Sequence, residues 1–82
     1  MQTPEWVNQR NVSEYQDAVT KILAALTEIE QLSTAAGKPP RFTVAQQAER
    51  IAKGEWGQTS ALVDAAHRTM PQRLERARNG KF

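Results

Sequence analysis

Six apolar residues constrain this chain more than anything else in it. Val12, Tyr15, Val19, Ile22, Leu26 and Ile29 recur at steps of 3, 4, 3, 4 and 3. An α-helix returns to the same side about every 3.6 residues, so alternating threes and fours draw one continuous seam along a helix. A strand would need a period of two, and no useful run of that kind occurs in the chain. Leu23 and Leu32 widen the seam to one side, while Asp17, Lys21, Glu28 and Gln31 lie opposite. Asp17 and Lys21 are four apart with the acid first, the favourable order for a helical ion pair. The spacing predicts one long helix over about residues 12–36. Asn11-x-x-Glu14 has capping-box spacing at its start, with Ser13 as a rival cap. Gly37, followed by Pro39-Pro40, marks its end.

The remaining segments read as shorter helices. Thr3-Pro4-Glu5 favours a helical turn over 4–9, with Trp6 anchoring it to the body. Lys38 to Phe42 is a stiff connector, because the two prolines preset extended backbone. Thr43 and Gln46 repeat the capping-box spacing and open a helix over about 43–53, with Phe42 placed as a hydrophobic staple. Trp56, between Gly54 and Gly57, is expected to plug the gap between helices. Thr59 or Ser60 caps a third helix over about 60–69. Pro71 cannot continue its hydrogen-bond ladder, so a kink or restart there and a last helix over about 71–78 are expected. The fold expected is all-α: an irregular three- to four-helix bundle built on the long N-terminal helix. Its 82 residues suit a single domain, with 1–10 and 79–82 frayed.

Composition narrows the chemistry. Cysteine is absent, which removes disulfides, thiolate metal sites and cysteine nucleophiles and fits a cytoplasmic setting. No apolar run approaches the roughly 20 residues that cross a bilayer. Asp64 and His67 share a helix face, but no nucleophile and no further ligand stands at a motif spacing. Gly54-x-x-Gly57 lacks the Lys-Ser/Thr that follows in a phosphate loop. No catalytic, cofactor-binding or metal-binding residue is therefore expected, no small-molecule substrate is evident, and the chain reads as a non-enzyme.

Charge is uneven. Residues 1–42 carry four basic and five acidic groups, residues 43–82 seven basic and four acidic. The excess lies in Arg68, Arg73, Arg76, Arg78 and Lys81, a footprint that an acidic protein or nucleic acid could use.

The stretch Arg41-Phe42-Thr43-Val44-Ala45-Gln46-Gln47-Ala48-Glu49-Arg50-Ile51 resembles the opening of winged-helix domains of the MerR and excisionase type. That resemblance implies a helix-turn-helix over 43–69, with Thr43 as cap, Ala48 and Ile51 packed inward, and the helix after Thr59 in the major groove. It covers only these 11 residues. The loop from Ala52 to Gln58 is longer than the family's turn, and no wing hairpin follows.

Two functions are expected on these grounds. The first is a small non-enzymatic protein that binds another macromolecule, as an adaptor, inhibitor or assembly factor of bacterial or phage type. Trp6 and Trp56 would be its anchors and Arg68, Arg73 and Arg76 its charged contacts. The shorter helices look too small to cover the whole seam, so self-association through the long helix is a second possible use of it. The alternative is a nucleic-acid-binding transcriptional regulator using His67, Arg68, Arg73, Arg76, Arg78 and Lys81.

Overall fold

The structure, a computed structural model, describes residues 3–82. It contains α1 (Val12–Ala35), α2 (Val44–Ala52), α3 (Thr59–Asp64), a π-helical turn (Ala65–Thr69) and α4 (Met70–Arg78), and no strand among the described residues. The expected all-α bundle on one long helix is present. The wing of the winged-helix resemblance is absent there. Nor does α2 bring a Cα within 8 Å of α3, as the close-packed pair of a helix-turn-helix would.

The helix α1 is the spine of a body measuring 41 × 21 × 15 Å. Its seam is buried where the other helices cross it: Tyr15, Ala18, Val19, Ile22 and Leu26 meet Ile51 of α2, Leu62 of α3, Ala66 of the π turn and Met70 of α4. Each large aliphatic buried this way contributes about 1.5–3 kcal/mol. The expectation of an under-covered seam is thus corrected from Tyr15 to Leu26. Small residues such as Ala18 and Ala66 let the backbones close in, so α3, the π turn and α4 cover more of α1 than their side-chain volumes suggest. Val12 at the near end, Ile29 at the far end, and Leu23 and Leu32 beside the seam stay half-buried.

The kink or restart expected at Pro71 takes the form of a widened turn just before it. The chain stays helical from Thr59 to Arg78 and widens by one π turn, in which the Met70 N–H reaches back to the Ala65 carbonyl. Pro71 has no N–H and its ring would crowd the carbonyl four residues earlier; a wider turn just before it relieves that crowding. The turn also serves the core. Leu62, Ala66 and Met70, all buried, are spaced four apart. Each such step overshoots a full α-helical turn by about 40°. The π turn takes up the overshoot and keeps the three in line.

The expected stops are present. Gly37, Gly54 and Gly80 each take positive φ just past a helix, and at each the backbone closes with the paired hydrogen bonds of a Schellman motif. The expected starts hold at α2 and fail elsewhere. Thr43 Oγ1 accepts from the Gln46 N–H at 3.1 Å and Gln46 Oε1 accepts from the Thr43 N–H at 2.8 Å, a complete capping box. Asn11 makes no such bond, because its backbone is already near-helical at φ −116°, ψ −2°. Its side chain turns back instead, accepting from the Asn8 N–H at 2.7 Å and donating to the Trp6 carbonyl at 3.1 Å. At α3 the cap position is Gln58, without a side-chain cap; Thr59 is inside the helix and buried, so neither Thr59 nor Ser60 caps it.

The N-terminal segment is tied down by these bonds and by Trp6, whose ring meets Tyr15 edge-on at 5.6 Å. Pro4 is buried beneath it. The fraying expected for residues 1 and 2 lies outside the described residues. No helix among the described residues is long and apolar enough to cross a membrane.

Candidate partner-binding face

Two helices flank the C-terminal half of α1 with their backbones apart. Both α2 and α4 pack on α1, yet no Cα of α2 lies within 8 Å of α4. The space between them is a groove with α1 as its floor. It holds two clefts, of about 120 Å³ on the α2 side and about 250 Å³ on the α4 side. Ile29 of α1 and Arg73 of α4 line both, so the clefts meet there. Leu26, Val44 and Gln47 complete the α2-side cleft, and Arg76 and Ala77 the other.

One carboxylate sets the α2 wall. Glu30 Oε2 accepts a hydrogen bond from the Val44 N–H at 2.7 Å, satisfying a free donor at the positive end of α2. With Thr43 and Gln46 it fixes where α2 starts and holds that start against α1. At the end of α4, outside the lining of the two clefts, Arg78 makes a two-pronged bond to Glu28 of α1, Nε at 2.5 Å and Nη2 at 2.9 Å. That pair shifts both groups toward their charged forms. The Arg78 hydrogen bond holds the Glu28 carboxyl below its ordinary value, and Glu28 raises Arg78 in turn.

Among the described residues, the rim of the groove carries the large apolar side chains most open to solvent. Phe42 is 40% exposed and Phe82 49%. Phe42 borders the α2-side cleft and Phe82 the α4-side one. Phe42 is not the buried staple expected of it: the Arg50 guanidinium lies 5.0 Å from its ring centre and that of Arg41 5.9 Å. Cations surround these rings. Lys21, Arg50, Lys53, Arg68 and Arg78 each have a carboxylate partner. Among the described residues, Arg41, Arg73, Arg76 and Lys81 form no salt bridge, and all four line the two clefts.

The residues singled out from the sequence divide. Arg73, Arg76 and Lys81 come together in the groove. Arg78 is on the same helix but committed to Glu28. Arg68 and His67 sit on the exposed π turn; Asp64 accepts from Arg68 at 3.4 Å, not from His67, so no Asp–His pair forms. Trp6 and Trp56 are half-buried and packed on the core, where they serve the fold. Among the described residues no three potential ligands gather into a metal site.

Sequence reasoning missed Ile29 as a groove floor, and Phe42, Phe82 and Arg41 as its rim. A signal was there: each phenylalanine directly follows a cation, as Arg41-Phe42 and Lys81-Phe82. What could not be seen was that residues 40 positions apart would edge one groove. No known protein family, characterised protein or solved structure matches the chain.

Proposed function

We propose that this protein is a non-enzymatic binding module that engages another protein through the groove between α2 and α4. One observation carries the reading. The four groove-lining cations without partners surround an apolar floor and the two most exposed aromatic rings. Apolar surface desolvated by a partner supplies affinity, and a ring of cations steers an acidic partner and sets its register. Arg and aromatic side chains are also the types that most often dominate interface energetics. The role fits an adaptor, inhibitor or assembly factor working in the cytoplasm.

A nucleic-acid reading is favoured by one feature, the aromatic rings beside Arg73 and Arg76, since bases stack on such rings. Against it, the floor is aliphatic and recessed between two helices. That shape suits inserted side chains better than flat bases.

The test is site-specific photo-crosslinking in the source cell, with a photoreactive phenylalanine analogue in place of Phe42 and, as a control, in place of Gln16, which is exposed on the other half of α1. Polypeptide adducts at the first position and none at the second are expected. Adducts to nucleic acid, or equal adducts at both positions, would overturn the reading.

A further inference from the structure

We infer that the groove's occupant is an acidic amphipathic helix, laid between α2 and α4 as a further helix of the bundle. This rests on the groove being the binding face and adds the shape and charge of what fills it.

The backbone supplies the shape. Both α2 and α4 lie on α1, yet they stay apart along the half of α1 that carries Ile29. In a helical bundle each helix packs its neighbours at 8–10 Å between axes, so helices that share a floor with their backbones apart leave a lane for one more. The floor of that lane belongs to the seam itself. Leu26 is buried, but Ile29, next on the same seam, is only half-covered, as is Leu32 beside it. The seam of α1 thus offers, at Ile29, apolar surface that its own chain covers only in part, and what it lacks there is another helix's apolar stripe. An extended strand has no partner here, because the groove walls are helices whose backbone groups are already paired.

The charge of the occupant follows from the rim. Arg41, Arg73, Arg76 and Lys81 line the lane without carboxylate partners, whereas Glu30, the acid among the cleft-lining residues, is committed to the Val44 N–H. A helix with apolar residues at i, i+3 or i+4, and i+7, and with Glu or Asp flanking that stripe, would bury the stripe on Ile29. Its carboxylates would meet the four cations. A basic helix would leave them repelled.

The test is titration of the isotope-labelled full chain, followed by amide NMR. Four ligands are compared: an acidic amphipathic peptide of about 14 residues, roughly 21 Å as a helix; a scramble of the same composition; a version with Lys for every Glu; and an oligothymidylate. The first should shift the amides of Ile29, Val44, Gln47 and Arg73 and gain helical circular dichroism on binding. The scramble should bind roughly tenfold more weakly and the Lys version not at all. Arg73→Glu and, separately, Phe42→Ala, both at exposed positions that leave the core intact, should each weaken the first peptide by roughly tenfold.

Equal binding by peptide and scramble would overturn the inference, because charge alone would then suffice. So would shifts centred elsewhere on the molecule. Oligothymidylate moving the groove amides while the acidic helix does not would overturn it in favour of nucleic acid. Failure of the acidic helix alongside polypeptide crosslinks at Phe42 would sink the helix and leave the binding face standing. Failure of both would remove the two together.

Discussion

Tyr15 sits at 2% exposure, and its hydroxyl has no hydrogen-bond partner among the described residues. Its ring is needed, since Trp6 leans on it edge-to-face, but the oxygen is a cost: an unsatisfied buried hydroxyl loses about 1–3 kcal/mol of hydration. Burial raises the phenol above its ordinary 10.0. The folded form therefore resists ionisation, and stability falls as pH rises past 10.0. Tyr15→Phe is expected to be neutral or stabilising by up to about 1 kcal/mol in denaturant unfolding, and to lessen the alkaline decline. A loss larger than that would show the hydroxyl to be satisfied. Glycine positions give a second contrast. Gly37 and Gly54 both have positive φ, at 74° and 82°, but a Cβ at Gly37 would meet open space. At Gly54 it would lie 3.1 Å from Trp6 Nε1 and 3.3 Å from Pro4 Cβ. Replacing Gly37 by Ala should cost about 1 kcal/mol for backbone strain, and Gly54→Ala roughly twice that, because it also displaces Trp6. Equal midpoints in urea would refute the difference. The sequence showed both glycines as helix stops, since a helix-ending Gly is a local signal. It could not show that Trp6 lies over only one of them.

At the scale of the element, the π turn makes the sharpest prediction. It holds one residue more than an α-helix needs between Leu62 and Met70. Deleting Thr69, which is exposed, changes the spacing of Leu62, Ala66 and Met70 from four-and-four to four-and-three, which a plain α-helix accommodates. The shortened chain should keep its helical circular dichroism and a cooperative thermal transition. Deleting Gln72 instead turns the buried Ala77 by about 100° off the core and should abolish cooperativity. Similar melts for the two deletions would refute this account of the turn. At the end of α4, Glu28 is the group to titrate. Its carboxyl lies below the ordinary 4.5 because Arg78 donates to its charged form. The contribution of the pair is present above that value and is lost as pH falls through the folded value. Carboxyl NMR should place Glu28 below 4.5, and Glu28→Gln should flatten the acid-side decline in α4 helicity. An ordinary Glu28 midpoint would mean the pair is not formed in solution. Helix existence was readable throughout from periodicity, glycines and the Thr43–Gln46 box. The continuity through Pro71 was not, because a proline inside a helical pattern signals a break far more often than a widened turn.

At the scale of the molecule, helices are unequally secured. The paired helices α3 and α4 run along α1 with the π turn between them, whereas α2 brings its backbone within 8 Å of no other helix than α1. Its ties are Ile51 in the core, the Glu30 bond at its start and the Trp6–Gly54 approach at its end. Such an element opens locally at less than the global unfolding cost. Native-state hydrogen exchange should therefore find the α2 amides less protected than those around Ile22, and Glu30→Ala should widen the gap by about 1 kcal/mol. Equal protection would mean that the fold opens only as a whole. The core was legible from the seam of α1 alone, because burying that stripe leaves few arrangements for so short a chain. The groove was not. It comes from the absence of backbone contact between two helices, and nothing in the local pattern of either encodes that.

The three Schellman stops bear on how such a protein could change over time. They end the helices through backbone dihedrals and backbone hydrogen bonds, so the exposed side chains of Lys38 and Lys81, just after two of the glycines, form no ion pair, while Glu55 after the third pairs only with Arg50 at the surface. Lys81 and its neighbour Phe82 edge the groove; Pro40, Arg41 and Phe42 follow soon after Gly37. Much of the groove's rim is thus written in positions that selection could rewrite one at a time without unfolding the scaffold. Partner preference could drift quickly in such a lineage while the arrangement of helices stayed constant.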